Sequence, residues 1–256
     1  MTQRLAAKTA LVTGSTSNIG RAIATAFAAE GAHVVVSGRD AARGAAVVSE
    51  IRGAGGRADF VAADLDGSPD RSRDLAERAL RLLGGGVDIL VNNAGVFPSH
   101  TTASADGALF DRIYGLNVKA PFFLTQLIAP VMIAGGGGSI INLGSWVARL
   151  GIASSPLYSS SKGALETLTR AWSAEFGPQG IRVNAISPGV IRTPDLDDAR
   201  EHPAERMMRG TPAGETGHPD AIAAAALYLA SDGAAFVHGS VIDVDGGRRT
   251  VAVVRD

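Results

Sequence analysis

The sequence predicts an α/β fold with one doubly wound parallel sheet and helices on both of its faces. Short apolar runs alternate with longer segments of helical periodicity along all 256 residues. These runs are apolar at nearly every position, which is typical of parallel strands that helices cover on both sides. A glycine-rich turn follows the first run. Because α/β domains often reach about 250 residues, residues 1–256 are expected to form a single domain.

The first half of the chain contains four predicted strands separated by three predicted helices. Gly31 ends the first helix, and Ser68 precedes Pro69 as an N-cap followed by proline at the first helical position. Three glycines from Gly84 end the third helix. The predicted order is strand Ala10–Val12, helix Arg21–Glu30, strand Val34–Val36, helix Ala41–Arg52, strand Phe60–Ala62, helix Pro69–Leu83 and strand Val87–Val91.

The second half continues the alternation but contains one irregular segment. Thr193–Gly217 is rich in proline, glycine and charge, and it is a loop or lid candidate. Residues 248–256 are expected to be a short C-terminal tail. The predicted elements are helical patterns within Asp106–Ile133, strand Ser139–Leu143, helix Leu157–Phe176, strand Arg182–Ile186, helix Pro219–Ala230 and strand Val241–Val244.

Composition excludes several classes of function. The chain has 24 basic and 25 acidic side chains, a balance without the positive charge that nucleic-acid or membrane-surface binding requires. It has no cysteine, which excludes disulfides and thiolate catalysis and fits the cytoplasm. Its five histidines lack metal-ligand spacing, so no metal site is expected. Prolines and four consecutive glycines interrupt the apolar stretch Ala120–Leu143, which argues against a membrane span.

The glycine-rich turn runs from Thr13 to Gly20, between the first strand and the first helix. Glycines there permit a tight turn that brings backbone N–H groups and a helix N-terminus to a pyrophosphate. The G-x-G-x-x-G pattern is absent, and no Lys-Ser or Lys-Thr follows Gly20, so a phosphate-binding P-loop is excluded. A plain β–α turn remains the alternative.

Tyr158 and Lys162 are four residues apart on a predicted helix, so both side chains lie on one face. With three tyrosines and three lysines in the chain, chance would give this spacing only about 0.04 times. A free tyrosine has a pKa near ~10, and a neighbouring ammonium is expected to lower the pKa of Tyr158 toward neutrality. Ser145, after the fifth strand, could stabilise charge that develops on a substrate oxygen. This set of residues suits carbonyl reduction. The alternatives are that Tyr158 and Lys162 are only a pair on the helix surface and that Ser145 belongs to an ordinary turn at the end of a strand.

These motifs together resemble the short-chain dehydrogenase/reductase family. The turn is similar to its TGxxxGxG motif, with Asn18 in place of the middle glycine, and asparagine tolerates the left-handed backbone. Ser145, Tyr158 and Lys162 match the family's catalytic residues, and Asn117 matches a fourth, linked to a proton relay. Other similarities are Asn92–Gly95 to its NNAG motif and Asp243–Gly247 to its last strand.

The resemblance covers roughly residues 5–247 and implies a Rossmann-type fold that binds a nicotinamide dinucleotide. Asp64 would lie beside the adenine, and Lys162 would also hold the nicotinamide ribose. Asn92 is more simply a structural hydrogen-bonding residue. The implied cofactor-binding residues are Gly14, Ser17, Asn18, Ile19, Gly20, Arg39, Asp64, Leu65, Asn93, Ala94, Gly95, Tyr158, Lys162, Pro188, Gly189, Ile191 and Thr193.

The end of the second strand bears on the choice of cofactor. An acidic residue there would bind the adenosine ribose and repel a 2′-phosphate, but the position is Gly38. Arg39 instead offers a permanently charged fork for phosphate. NADP(H) is therefore favoured, while Asp40 and Ser17 leave NAD(H) open, and a solvated arginine is the alternative for Arg39.

Apolar residues flank the expected reaction centre, which favours a small, mainly apolar ketone or secondary alcohol. The uncharged segment Ile133–Gly138 argues against steering an acidic carrier protein. A 3-oxoacyl thioester reductase, a non-catalytic dinucleotide-binding redox sensor and a sugar-nucleotide epimerase are the alternatives. Family resemblance implies a homotetramer, which apolar Leu165, Leu168, Ala171 and Trp172 also suggest. The expected substrate-binding residues are Phe97, Ser145, Trp146, Val147 and Tyr158, within a lining that includes Val96, Leu150, Val190, Met207 and Met208.

Overall fold

The structure is a computed structural model that describes residues 3–193 and 203–253, without the side chains of residues 203 and 204. These residues contain seven strands and seven α-helices. The strands are β1 (Thr9–Val12), β2 (His33–Gly38), β3 (Arg57–Ala62), β4 (Ile89–Asn92), β5 (Gly138–Leu143), β6 (Ile181–Pro188) and β7 (Val241–Val244). The helices are α1 (Asn18–Ala29), α2 (Ala41–Gly53), α3 (Pro69–Leu82), α4 (Gly107–Tyr114), α5 (Ala120–Ala134), α6 (Pro156–Phe176) and α7 (Pro219–Ala230).

All seven strands of the described residues join one parallel sheet in the order β3-β2-β1-β4-β5-β6-β7. The chain therefore winds outward in both directions from the β1–β4 pair, and the doubly wound sheet expected from the sequence is confirmed. In such a sheet, ligands bind outside the carboxyl ends of the strands, where the strand order reverses. That point lies beyond Val12 of β1 and Asn92 of β4.

Two apolar cores, one on each face, hold the helices to the sheet. Ile23 and Phe27 of α1 pack with residues of α7 on one face, and Leu124 of α5 packs with residues of α3 and α6 on the other. Burial of apolar surface of this kind contributes about 25 cal/mol per Å² to folding. The buried side chain of Asn92 donates to the Oδ1 atom of Asn142 in the neighbouring strand at 2.9 Å, which confirms the structural role expected for Asn92.

Most elements begin or end a few residues away from their predicted bounds, and two of these differences are informative. β4 begins at Ile89 rather than Val87, and the carboxylate of Asp88 just before it accepts hydrogen bonds at 2.7 Å from both the backbone N–H and the hydroxyl of Thr9. The long helical pattern is divided by a π-helical turn at Gly115–Lys119 between α4 and α5. Such turns are frequent at functional sites.

The combined helical run Gly107–Ala134 is long and apolar enough, by length and composition alone, to cross a membrane. Leu124 and Ile128 on its inner face are fully buried against the sheet. The position of the run as a core helix therefore accounts for its apolar composition.

The apolar residues of helix α6 were expected to be more than one sheet face would bury, as a hint of association between chains. Leu165 and Trp172 are buried within this chain, and Leu168 packs against the same core. Of the four apolar residues named above, Ala171 alone is exposed. The apolar character of this helix is thus explained by the fold of a single chain.

The lid candidate and the tail are described only in part. Residues 194–202 of the candidate and 254–256 of the tail lie outside the described residues. Pro203–Met208 forms a short 3-10 helix. Met208 is buried, and its terminal carbon would lie only 2.9 Å from a Cβ atom at Gly246. Met208 therefore packs against the turn between β7 and the tail.

Candidate active site

A cleft of about 1030 Å³ opens at the carboxyl edge of the sheet, at the reversal of strand order. It extends from the end of β2, past the glycine-rich turn, to the segment after β5. The cleft brings together every predicted cofactor-binding and substrate-binding residue. Asn117 is the predicted site residue that is not on its wall. The lining includes Gly14, Ser17, Asn18, Ile19, Gly20, Arg39, Asp64, Leu65, Asn93, Ala94, Gly95, Phe97, Ser145, Trp146, Val147, Tyr158, Lys162, Pro188, Gly189, Ile191 and Thr193.

The glycine-rich turn forms the middle of the cleft wall. Gly14 has a φ of 62° and Asn18 a φ of 44°, both in the left-handed region. The expectation that asparagine permits the turn is therefore confirmed. A Cβ atom at Gly14 would lie 2.9 Å from the Cα of Ala94, and one at Gly20 would lie 2.3 Å from the carbonyl oxygen of Gly14. Both positions thus require glycine, because a side chain would push the turn away from the sheet.

Buried polar side chains brace this turn against the segment after β4. The hydroxyl of Thr13 accepts hydrogen bonds at 3.0 Å from the backbone N–H groups of Asn93 and Ala94. The side-chain amide of Asn93 donates in return to the carbonyls of Thr13 and Gly14, at 2.9 and 3.0 Å. Because each contact involves backbone, the two loops hold a fixed separation.

This turn fits the pyrophosphate of a dinucleotide. It leads into the N-terminus of α1, whose N-cap residue Ser17 makes no side-chain capping hydrogen bond to the described residues. The first turn of α1 also contains no acidic residue. Unpaired N–H groups and the positive end of the helix dipole together favour an anion. The close glycine contacts keep the backbone accessible to such a group.

The end of β2 forms the outer part of the cleft. A Cβ atom at Gly38 would lie 2.7 Å from the Cγ2 atom of Thr16, so an acidic side chain at this position would clash. Arg39 is 72% exposed, and its Nε lies 3.8 Å from the carboxylate of Asp64. Arg43 also lines the cleft. Sequence reasoning missed Thr16 and Arg43, although Arg43 follows Arg39 by one helical turn.

Tyr158, Ser145 and Lys162 meet on the inner floor of the cleft. Tyr158 and Lys162 project from one face of α6, and Ser145 begins a short 3-10 turn after β5. The Nζ atom of Lys162 lies 5.8 Å from the centre of the Tyr158 ring. It donates to the carbonyl of Leu143 at 2.7 Å. The sequence therefore placed Tyr158 and Lys162 correctly on one face of one helix, with Ser145 after the fifth strand.

The direction of the tyrosine pKa differs from the sequence expectation. Burial raises the pKa of Tyr158 above its usual value, and a side-chain hydrogen bond with Ser145 only partly offsets this effect. Burial also lowers the pKa of Lys162 to about 8. Because Lys162 is itself desolvated and directed to the Leu143 carbonyl, it does not lower the pKa of Tyr158 as expected. The phenol thus stays protonated at neutral pH.

Asn117 lies in the π-helical turn, fully buried. Its side-chain oxygen accepts from the N–H of Val96 at 2.9 Å, and its amide donates to the Val96 carbonyl and the Ser161 hydroxyl, both at 3.0 Å. The Ser161 hydroxyl in turn donates to the carbonyl of Tyr158 at 2.7 Å. The side chain of Asn117 therefore fixes the segment after β4 to α6.

Apolar side chains form the side of the cleft beyond Tyr158. The ring of Phe97 is 77% exposed, and its centre lies 6.1 Å from that of Tyr158. Trp146 and Met207 also line the cleft. Leu150 and Met208, which the sequence also placed here, are not part of the lining. Met208 packs against the turn after β7 instead.

Behind this wall lies a charged cluster that sequence reasoning did not identify. Arg149 contacts Glu166 of α6 at 3.1 Å and Asp243 of β7 in a close ion pair. Arg249 of the tail contacts the other oxygen of Asp243, and Arg248 lies 5.4 Å from the ring centre of Trp146. The tail therefore supports the segment that carries Ser145.

The carboxylates of this cluster differ in their electrostatics. Burial raises the pKa of Glu166, and the charge of Arg149 only partly opposes the increase. Burial acts in the same direction on Asp243, but the hydrogen bond from Arg249 and the charge of Arg149 outweigh it, so the pKa of Asp243 is lowered. Asp243 is thus the firmly ionised member that holds both arginines.

Comparison with known proteins identifies the family. A family model described as enoyl-(acyl carrier protein) reductase matches residues 14–249. The chain is 40% identical over 245 residues to the 7alpha-hydroxysteroid dehydrogenase of Escherichia coli strain K12, covering 95% of each protein. It is 34% identical over 244 residues to the 3-oxoacyl-[acyl-carrier-protein] reductase FabG of Thermotoga maritima, covering 95% of this chain and 98% of that protein.

A solved structure agrees with these sequence relatives. A short-chain dehydrogenase/reductase from Serratia marcescens BCRC 10948 superposes with a TM-score of 0.90 at 33% identity, covering 96% of this chain and 100% of that one. The fold, the glycine-rich turn and the relatives that match almost the whole length of the chain all indicate the same family. The chain is therefore an oxidoreductase that acts on CH–OH groups with a nicotinamide dinucleotide, and it belongs to the short-chain dehydrogenase/reductase family.

Proposed function

We propose that the protein transfers a hydride between NADP(H) and a small, mainly apolar ketone or secondary alcohol, with Tyr158 as the general acid and base. The observation that carries this proposal is the floor of the cleft. There Ser145 lies close enough to Tyr158 to offset part of the rise that burial causes in the pKa of the tyrosine hydroxyl, and the buried ammonium of Lys162 lies 5.8 Å from the centre of the tyrosine ring. This group lies between a turn suited to pyrophosphate and a wall of apolar side chains.

Each of these residues has a distinct part in the proposed reaction. When bound, the nicotinamide ring supplies or accepts the hydride. Tyr158 gives its phenolic proton to the substrate oxygen during reduction and takes it back during oxidation. Ser145 hydrogen-bonds the same oxygen and stabilises the charge that develops on it. Lys162 holds the nicotinamide ribose and supplies positive charge next to the phenol.

We assign Asn117 to the same machinery as a link to the proton relay. Its side chain is committed to Val96 and Ser161, and the Ser161 hydroxyl donates to the backbone carbonyl of Tyr158. These contacts connect the π-helical turn to the residue that exchanges the proton. Loss of the asparagine would shift both the segment after β4 and the catalytic helix.

The preference for NADP(H) is supported by the outer part of the cleft. Thr16 occupies the space that an acidic side chain at position 38 would need. The exposed guanidinium of Arg39 is free to turn toward a 2′-phosphate, since its contact with Asp64 is long and solvated. A charged fork binds such a group through paired hydrogen bonds.

The apolar substrate class is supported by Phe97, Trp146 and Val147 around the catalytic tyrosine. The 7alpha-hydroxysteroid dehydrogenase among the relatives acts, by its name, on a largely apolar molecule. A 3-oxoacyl thioester reductase is the second candidate, because the FabG relative carries that activity in its name. Against it stands the uncharged segment 133–138, which offers no attraction for an acidic carrier protein.

Removal of the phenolic hydroxyl group tests the role of Tyr158. Tyr158→Phe should abolish turnover and leave the Kd for NADPH nearly unchanged, because it removes the proton donor and little else. The measurements are steady-state kinetics with ketones and cofactor titration by fluorescence. A variant that keeps more than about a tenth of the activity would refute the general-acid role.

The substrate class is tested by direct comparison. We expect kcat/KM to be higher for simple cyclic and aromatic ketones than for a 3-oxoacyl thioester on its carrier protein. A clear advantage for the carrier thioester would replace our proposal with the second candidate. A free 3-oxoacyl thioester of the same length serves as the control that separates acyl recognition from carrier recognition.

We further propose that the protein works as a cytoplasmic homotetramer. Exposed aromatic side chains support association. Phe110 of α4 stacks on Tyr114 at 4.7 Å, and Phe122 of α5 contacts Trp172 while remaining 40% exposed. A patch of this kind is typical of surfaces that bind a partner. Light scattering at micromolar concentration tests the proposal, and a monomer would contradict it.

A further inference from the structure

The catalytic helix α6 begins in an unusual way. Its N-cap residue Ser155 has a φ of 49°, and its hydroxyl makes no capping hydrogen bond to the helix. Instead the hydroxyl donates to the carbonyl of Pro98 at 3.3 Å. A helix start leaves backbone N–H groups that an N-cap side chain usually satisfies. Because Pro156 has no N–H, Leu157 carries the first such group.

His100 from the segment after β4 takes over the capping role. Its Nε2 atom accepts from the backbone N–H of Leu157 at 3.2 Å. Since Nε2 accepts, the ring proton must be on Nδ1, which donates to the carbonyl of Pro98 at 2.9 Å. The backbone carbonyl of His100 also accepts from the N–H of Ser155 at 2.9 Å. The ring is buried, so both contacts are shielded from water.

These contacts have consequences for the neighbouring Tyr158. Leu157, which receives the cap, immediately precedes Tyr158, so the cap fixes the backbone of the first turn that carries the phenol. The segment 96–100 is itself held at both ends, by Asn117 at Val96 and by His100 at α6. Phe97 lies between these two anchors and faces the Tyr158 ring. One imidazole thus sets the separation between the catalytic residue and the adjacent apolar wall.

We propose that His100 is a positioning residue for Tyr158, acting as a neutral, Nδ1-protonated imidazole that caps the catalytic helix from a separate segment. The inference rests on the proposed role of Tyr158 as the proton donor. It assigns a function to a histidine that lies 58 positions before the tyrosine and does not line the cleft.

Two substitutions of His100 test the contributions of its two ring nitrogens separately. In His100→Gln the longer side chain can place an oxygen where Nε2 accepts from Leu157. In His100→Asn the amide can replace the Nδ1–H donor to Pro98 but is too short to reach Leu157. We expect His100→Gln to keep kcat within about threefold and His100→Asn to lower it about tenfold, because small displacements of a catalytic group are costly. The Kd for NADPH should not change in either variant.

A matched control is provided by the cap of another helix. The Nδ1 atom of His218 accepts from the backbone N–H of Asp220 at 3.4 Å at the start of α7, away from Tyr158. His218→Ala removes this histidine cap, and kcat should remain that of the unmodified protein. A general loss of helix capping would affect both histidine variants, whereas positioning of Tyr158 would affect only His100→Asn.

Amide hydrogen exchange supplies a readout independent of activity. Exchange at Leu157 should accelerate in His100→Asn but not in His100→Gln, and the ring nitrogen shifts of His100 should be those of the Nδ1-protonated tautomer. Unchanged Leu157 exchange in His100→Asn would refute the cap. Faster exchange with unchanged kcat would refute its positioning role. If Tyr158→Phe remains active, the proposed function fails, and the exchange result still decides whether the cap exists.

Discussion

The two sides of the cleft are built from different interactions. On the cofactor side, Thr13 and Asn93 join two loops through neutral hydrogen bonds to backbone atoms. On the substrate side, the segment carrying Ser145 and Trp146 is supported by charged side chains of α6, β7 and the C-terminal tail, with Arg149 at the centre. One side thus depends on backbone geometry and the other on side-chain charges.

The difference predicts which side tolerates substitution better. A hydrogen bond to backbone specifies the path of the chain, so the cofactor side can vary little without moving the sheet. Charged contacts between distant segments join side chains and leave the backbone path unspecified. They can therefore be replaced by other packed groups of similar volume. We therefore expect substitutions to be tolerated more readily around Arg149 than around Thr13 and Asn93.

The largest expected effect is at the outer end of the cofactor side. Arg39→Asp should reverse the preference from NADPH to NADH, a change in the ratio of kcat/KM on the order of a hundredfold or more, because it removes a charge-assisted contact and adds repulsion. The activity with NADH serves as the internal control for folding. Equal kcat/KM for both cofactors in the unmodified protein would contradict the role of Arg39.

The second effect concerns the charged side of the cleft. Arg149→Met should lower the free energy of unfolding by about 3 kcal/mol, because it leaves the buried Glu166 without its partner. Chemical denaturation measures the loss, and Arg149→Met combined with Glu166→Gln should recover part of it. The Kd for NADPH should stay unchanged while KM for the ketone rises. A weaker NADPH affinity would mean that the two sides are not independent.

The cofactor side was largely predictable from the sequence. The left-handed conformation of Asn18 follows from its residue type, and the shared face of Tyr158 and Lys162 follows from their spacing on a helix. These features are local, so short stretches of sequence determine them. Gly38 likewise indicated an absent carboxylate at the end of β2, although its contact with Thr16 required the folded turn.

The substrate side was less predictable because its contacts join distant parts of the chain. Arg149, Glu166 and Asp243 meet only when β7 lies beside β6 and the tail turns back under the wall. His100 reaches α6 for the same reason, across 57 positions. The rise in the pKa of Tyr158 was also missed, because burial depends on packing that spacing does not reveal.

The dependence of kcat/KM on pH tests Tyr158 and Lys162, which lie on the floor between the two sides of the cleft. Lys162 has a pKa lowered to about 8 by burial, while the pKa of Tyr158 is raised. In the proposed mechanism, ketone reduction needs the protonated phenol and the ammonium, so kcat/KM should be flat below pH ~8 and fall about tenfold per unit above it. In Lys162→Arg, the guanidinium stays charged and this decline should move to higher pH.

Unfolding of the protein at high pH would not explain the decline in kcat/KM. An unfolded lysine keeps its proton up to its usual pKa near ~10.4, whereas the folded one releases it from about pH 8. Between these values the unfolded state binds more protons, so the contribution of Lys162 to stability increases as the pH rises. Thermal denaturation across this range should therefore show no loss attributable to Lys162. A profile that is flat through pH 9 would contradict the role of its charge.

The smallest effect is expected at Phe97, the exposed aromatic residue of the substrate wall. Because its ring is 77% exposed, Phe97→Ala should change the free energy of unfolding by no more than about 0.5 kcal/mol. Its ring nevertheless faces Tyr158, so KM for aromatic ketones should rise a few-fold, as an aromatic pair contributes about 0.5–1.5 kcal/mol. Phe236, which is fully exposed, gives the control Phe236→Ala, for which KM should not change. If Phe97→Ala left KM unaltered for both aromatic and aliphatic ketones, Phe97 would not belong to the substrate site, and specificity would depend on Trp146 and Met207 instead.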